Sequence, residues 1–96
     1  MIRHTVAFRL RHPEGSPEEA GFLDAALVLA ALPMVQDFER VRQVSGKNPY
    51  RFGFAMSFAD QAAYDAYNDH PVHVAFVRDR WAVEVEAFLE ADFVAL

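Results

Sequence analysis

Apolar and polar residues alternate from Met1 to Leu10. Ile2, His4, Val6, Phe8 and Leu10 fall on one side and Arg3, Thr5, Ala7 and Arg9 on the other, the two-residue period of a strand with one greasy face. His4 sits on that greasy face. Arg11 to Gly15 reads as a turn, after which Ser16-Pro17-Glu18-Glu19 supplies an N-cap, a proline at the first helical position and a glutamate at the third. The pattern predicts a helix from there to about Leu32, where Pro33 stops it. Leu23, Ala26, Leu27 and Ala30 form its stripe, and Phe22, Leu29 and Leu32 widen it. Val35 to Val44 reads as a charged edge strand, with Phe38, Arg40, Arg42 and Val44 alternating with Asp37, Glu39, Val41 and Gln43. Beyond the turn cluster Ser45-Gly46-Lys47-Asn48-Pro49, the stretch Arg51 to Phe58 is the clearest strand: Phe52, Phe54, Met56 and Phe58 oppose Arg51, Gly53, Ala55 and Ser57. Asp60 caps a helix to about Asp69, and Pro71 opens another that reaches Arg80 or beyond. Trp81 to Glu86 stays open between helix and loop, and Phe88 to Leu96 closes the chain as a strand.

That order, β-α-β-β-α-(α)-β, is the split βαβ of an α+β, ferredoxin-like fold: a four-stranded antiparallel sheet with helices on one face. The other face would carry Thr5, Ala7, Gly53, Ala55 and Ser57. Side chains this small solvate a sheet poorly but let a second sheet approach closely. The expected assembly is therefore a homodimer through the open sheet face, a dimeric α+β barrel with two-fold symmetry. Residues 1–96 are expected to form a single domain.

Composition narrows the function. A net charge of −5 and a lone lysine, Lys47, offer no basic face for nucleic acid or for a membrane surface. Without cysteine there is no disulfide frame, zinc thiolate site or thiol nucleophile. Arg3, His4 and Arg9 interrupt the first apolar run, and Ala25 to Leu32 is far too short to span a bilayer, so a cytoplasmic protein is expected. The glycines Gly15, Gly21, Gly46 and Gly53 are scattered, which argues against a nucleotide-binding loop. Glu84, Glu86, Glu90 and Asp92 have no special spacing and are expected on a solvated face.

Candidate chemistry gathers between Tyr67 and Val77. Read as helix from Pro71, the segment puts His73, Phe76, Val77 and Arg80 on one face, and Tyr64 and Tyr67 share a face of the preceding helix. The two helices would turn a phenol and an imidazole toward a common space. His73 is the candidate base, Tyr67 the candidate donor to an oxygen, and His4 an orienting partner or second donor. Phe22, Leu23, Leu27, Phe52, Phe54 and Phe76 would wall an apolar cavity, the usual setting of a small-molecule site. Structural readings stand beside these. His4 could tie the first strand to the Asp69–Pro71 turn, the tyrosines could be core aromatics, and His70 could cap the helix junction. A metal held by His70 and His73 with Asp65, Asp69 or His4 lacks a standard ligand spacing.

Ile2-Arg3-His4-Thr5-Val6-Ala7-Phe8-Arg9-Leu10, His70-Pro71-Val72-His73-Val74-Ala75-Phe76 and Asp92-Phe93 resemble the stress-responsive A/B barrel family, Dabb, over essentially the whole chain. The resemblance implies a homodimeric α+β barrel, in a family where many members have no assigned role. It also implies a likeness to plant polyketide cyclases similar to olivetolic acid cyclase, which close a linear polyketide by aldol condensation without metal or organic cofactor. Their strand histidine, tyrosine and H-P-x-H histidine match His4, Tyr67 and His73. Two other pocket positions of those cyclases, a tyrosine and a histidine, fall on Ala25 and Phe52. The expectation is thus a small Dabb-like dimer that binds a hydrophobic ligand or acts in a stress response. The alternative is a cofactor-free, cyclase- or lyase-like enzyme acting on a hydrophobic carbonyl compound.

Overall fold

The computed structural model describes residues 1–96. Four strands, β1 (Ile2–Leu10), β2 (Gln36–Arg42), β3 (Phe52–Phe58) and β4 (Val85–Phe93), make one antiparallel sheet in the order β2-β3-β1-β4. Helices α1 (Pro17–Ala25) and α2 (Leu27–Ala30) join β1 to β2. Between β3 and β4 run α3 (Gln61–Asp69), α4 (Pro71–Phe76), a π-helical turn over Val77–Trp81 and the short α5 (Ala82–Glu84). This is the expected ferredoxin-like arrangement. The alternation in the two central strands does what it predicts, burying His4, Val6, Phe8 and Leu10 of β1 with Phe52, Phe54, Met56 and Phe58 of β3 under the helices. Ser16 caps α1 by accepting from the Glu19 N–H at 3.2 Å, and Asp60 caps α3 by accepting from the Ala63 N–H at 2.8 Å.

Three boundaries differ from the pattern. The helix expected to reach Leu32 breaks at Ala26, because bonds from Leu29 N to Ala26 O (3.0 Å) and from Leu32 N to Leu29 O (3.3 Å) wind this part more tightly. Phe22, Ala26, Leu29 and Leu32 are buried as a result, and Leu27 turns outward. Strand β2 is shorter than Val35 to Val44, since Asp37 adopts φ 50° and the register with β3 shifts between Gln36 and Glu39. Arg3 braces this irregularity, its guanidinium donating to the Asp37 carbonyl and to Ser57 Oγ, both at 2.9 Å. Strand β4 begins at Val85 and ends at Phe93 instead of running from Phe88 to Leu96. It lies antiparallel to β1, pairing Leu10 with Val85 and Arg3 with Phe93, so past Phe93 little of β1 remains to pair with.

The uncovered face carries Thr5, Ala7, Gly53 and Ala55 at its centre, with Val41 on one edge strand and Leu89, Ala91 and Phe93 on the other. Leu89 and Phe93 are 59% and 57% exposed. A Cβ on Gly53 would come within 3.1 Å of Val41 Cγ2, so the glycine is what lets that valine lie across the sheet. No helix is long and apolar enough to cross a membrane.

Candidate active site

The site is assembled from β1, β4 and the α3–α4 junction. Alternation carries His4 beneath the helices, where it is 5% exposed, and the β1–β4 register sets Asp92 opposite His4 and Glu90 opposite Val6. His4 Nδ1 lies 2.6 Å from Asp92 Oδ1, and the Tyr64 hydroxyl donates to Asp92 Oδ2 at 2.9 Å while lying 2.9 Å from His4 Nδ1. A carboxylate only accepts, which assigns the Nδ1 proton of His4 to the bond with Asp92. Nε2 is then the ring nitrogen left for the cavity that His4 lines. Thus His4 does not tie the strand to the Asp69–Pro71 turn; its partners are Asp92 and Tyr64.

Pro71 opens α4 as expected, and His70 is its N-cap, with Nδ1 accepting from the Val72 N–H at 3.1 Å. One turn into the helix, His73 Nδ1 donates to the Asn68 carbonyl at 3.2 Å, using an acceptor freed at the end of α3. Its Nε2 is likewise left without a proton. Burial pushes the His73 pKa below the usual imidazole value, against the opposing pull of the Asn68 carbonyl. The His73 ring sits 4.2 Å from that of Tyr67, which is 2% exposed. Burial, and after it the Glu90 charge, raises the Tyr67 phenol well above its ordinary range, so that it keeps its proton. Tyr64 is raised too, by burial first and then by its bond to Asp92.

A cavity of about 280 Å³ brings His4, Tyr67 and His73 together, with Asn68 and Glu90 as its other polar residues. Its size is near the lower end of the roughly 300–1,000 Å³ typical of ligand pockets. Of the residues expected as its apolar wall, Phe54 and Phe76 line it. Phe22 is buried in the adjoining aromatic core, Leu27 is exposed, and Leu23 and Phe52 face a separate hollow beside Arg40 and Arg42 over β2. The break at Ala26 accounts for the exchange, since it brings Leu29 inward and turns Leu27 out. Val6, Met56, Val77, Trp81 and Phe88 complete the wall with Leu29. Ala25 and Phe52, where the cyclases carry polar residues, are both outside it.

Of the acidic residues of the last segment, Glu86, Glu90 and Asp92 are exposed as expected, and Glu84 is not. Glu86 is exposed and accepts from Arg9 Nε at 2.8 Å. Glu84 is largely enclosed, held by His12 Nε2 at 2.7 Å and Arg80 Nε at 2.5 Å. Asp92 and Glu90 are exposed as expected, yet lie on the helix side, and both bear on the cavity residues. Only the pairing of β4 with β1 reveals this, because the same alternation fits either facing of the strand. No group of three or more His, Cys, Asp or Glu converges to hold a metal, and the His70 Nδ1 lone pair is used in capping. What the cavity offers is two imidazole nitrogens able to accept a proton beside a phenol able to donate a hydrogen bond.

Solved structures share this architecture. A Dabb family protein with a ferredoxin-like fold from Mesorhizobium loti is 61% identical, with a TM-score of 0.97 over 99% of this chain and 96% of that one. A dimeric ferredoxin-like protein of unknown function from Thermobifida fusca is 23% identical, with a TM-score of 0.78 over 98% of this chain and 90% of that one. The hydroxynitrile lyase of Passiflora edulis has the same fold at 10% identity, with a TM-score of 0.84 over 99% of this chain and 93% of that one. No curated protein matches the sequence. The profile of the stress responsive A/B barrel domain matches residues 2–95, and the chain belongs to that family, Dabb.

Proposed function

We propose that the cavity binds a small hydrophobic carbonyl compound and that His73 moves a proton beside the carbonyl, with Tyr67 steadying the oxygen and His4, held by Asp92, as the orienting partner. The observation that carries this reading is the pinning of both imidazoles through Nδ1, His4 by Asp92 and His73 by the Asn68 carbonyl, on the wall of one apolar cavity. A base must be unprotonated near neutral pH, and the lowered pKa of His73 favours that state. An oxygen-stabilising donor must keep its proton, and the raised pKa of Tyr67 favours that one.

In an aldol closure, His73 Nε2 takes a proton from the carbon beside the carbonyl, and the C–H electron pair moves onto the carbonyl oxygen as an enolate. The Tyr67 O–H donates to that oxygen. The enolate carbon then bonds to a second carbonyl carbon, and the resulting alkoxide recovers the proton from the His73 imidazolium. Protein side chains suffice for every proton in this cycle. The fold shared with a hydroxynitrile lyase and with an antibiotic biosynthesis monooxygenase, 18% identical at a TM-score of 0.70, shows that the scaffold accommodates enzymes.

The protein is further proposed to act as a homodimer through its open sheet face. Small central residues flanked by exposed Val41, Leu89 and Phe93 suit a second sheet, and the ferredoxin-like protein from Thermobifida fusca is described as dimeric. A stable monomer at micromolar concentration in light scattering would count against this.

The test of the chemistry compares wild type, His73→Ala and Tyr67→Phe on neutral polyketide-like thioesters and hydrophobic ketones, with circular dichroism as the folding control. Loss of the base should lower turnover by about 10²–10⁴, with the fold retained. If wild type turns over none of these compounds and both variants merely lose stability, the enzymatic reading is to be dropped.

A further inference from the structure

The cavity wall has a charge pattern that the proton-transfer scheme does not use. No lysine or arginine lines it. The arginines nearest in sequence are engaged elsewhere: Arg78 with Asp79, Arg80 with Glu84, and Arg9 with Glu86. Glu84, Glu86 and Asp92 on the same last segment all have partners. Glu90 makes no hydrogen bond or ion pair within the chain and lines the cavity beside Phe88. It stands opposite Val6, two residues along β1 from His4, which puts it about 7 Å further along the strands. That is the span of a ring substituted at opposite ends.

We infer that Glu90 selects the ligand: the cavity accepts neutral carbonyl compounds that carry a hydroxyl or amino donor at the end away from the carbonyl, and rejects those with a carboxylate there. This rests on the carbonyl reading above, and adds which end groups the pocket tolerates. A carbonyl near His4 and His73 directs the far end of a one-ring ligand toward the Glu90 carboxylate. A donor there finds an acceptor with no competing partner in the protein. An anion there meets a like charge with no cation on the wall to offset it, a repulsive element of the kind from which specificity is built.

Three probes of matched size separate the possibilities: para-aminoacetophenone, para-methylacetophenone and para-acetylbenzoate. Each is titrated at neutral pH into wild type, Glu90→Gln and Glu90→Lys while the ring signals of His4, Tyr67 and His73 are followed by NMR. Wild type should bind the amino ketone about tenfold or more tighter than the benzoate. The gap should shrink to about threefold or less in Glu90→Gln and reverse in Glu90→Lys. If the ketones shift the ring signals but wild type binds the benzoate as tightly as the amino ketone, or Glu90→Lys keeps the wild-type order, the assignment of Glu90 fails and the carbonyl reading stands. If none of the three shifts those signals in wild type, the carbonyl reading falls and takes this inference with it.

Discussion

Strand β1 carries His4 and Phe8 four residues apart on one face, and the two ends of the sheet that they anchor are built on different terms. Around Phe8 the rings of Phe54, Trp81 and Phe22 close in at 4.6, 5.1 and 5.7 Å, and neither Phe8 nor Phe22 keeps any exposed surface. Around His4 the rings of Tyr64, Tyr67 and Phe58 stand farther off, at 5.1, 6.4 and 6.3 Å, and a cavity remains. The difference lies in the heteroatoms. A hydrocarbon ring can tilt until the space is filled, whereas a buried nitrogen or hydroxyl must keep a partner. Asp92 and the Asn68 carbonyl hold the two imidazoles in orientations that packing alone would not choose. The hydrocarbon end supplies stability, and the polar end gives some of it up to keep an opening.

The largest effect should therefore come from the hydrocarbon end. Phe8→Ala would leave a void beneath Phe54 and Trp81 and should cost about 3–5 kcal/mol, read as a lower denaturation midpoint with Trp81 fluorescence as the probe. A cost under about 1 kcal/mol would mean that this end can collapse, and the contrast between the ends would be lost.

At the polar end, Asp92→Asn should leave the fold nearly unchanged and act on the cavity instead. A carboxylate draws the His4 proton to Nδ1, whereas an amide can turn its NH₂ to that nitrogen and send the proton to Nε2. The cavity would then meet a donor where it had an acceptor. Loss of a charge-assisted hydrogen bond is worth about 1.5–3 kcal/mol, so turnover that needs His4 held as an acceptor toward the cavity should fall roughly ten- to a hundredfold. Nitrogen NMR of the His4 ring checks the cause, and an unchanged tautomer with unchanged turnover would rule out a positioning role for Asp92.

How much of this could be read from the chain alone follows the same division. Period-two alternation in β1 and β3 was enough to bury Phe8 and Phe54, because each strand's facing follows from its own side chains. Pro71, Ser16 and Asp60 marked their helices for equally local reasons. The break at Ala26 was not legible, since Ala25 to Leu32 is uniformly apolar and contains no glycine or proline to mark a change of winding. Nor was the facing of β4. Leu89, Ala91 and Phe93 look like the set that faces the helices, until the pairing of His4 with Asp92 puts Glu90 and Asp92 on that side, still exposed. The apolar side of β4 instead faces outward. Of the residues that line the cavity or hold its imidazoles, His4, Tyr67 and His73 belong to local patterns and are legible in the sequence, whereas Asp92 and Glu90 need the long-range register.

A smaller effect distinguishes the ends by pH. In the unfolded chain His73 titrates near 6.5, and in the fold burial holds its pKa lower. Between those values the unfolded state binds more protons, so stability rises with pH across the window. The contribution is complete above the unfolded value and is lost as pH falls toward the folded one. Urea midpoints measured from pH 7 down to 5 should fall more steeply for wild type than for His73→Gln, which cannot titrate there. Turnover that depends on unprotonated His73 should keep its acid limb below the ordinary imidazole value. Parallel stability profiles for the two proteins would show that His73 is not desolvated as the cavity geometry requires.

The smallest change asks whether Tyr64 belongs to the packed end or the polar one. Its ring stacks on Phe58 with centroids 4.8 Å apart and planes within 5°, which is core behaviour, while its hydroxyl reaches Asp92 and His4. Tyr64→Phe keeps the stack and deletes only the hydroxyl. Asp92 stays partly wet and can take water in exchange, so the stability loss should be about 1 kcal/mol or less. The hydroxyl also restrains the carboxylate that orients His4, so its removal should widen the range of Asp92 positions and lower turnover by a few-fold, well short of Asp92→Asn. Equal losses of turnover in the two variants would mean that the hydroxyl, not the charge, orients His4; no loss of turnover in Tyr64→Phe would assign Tyr64 to the packed end alone.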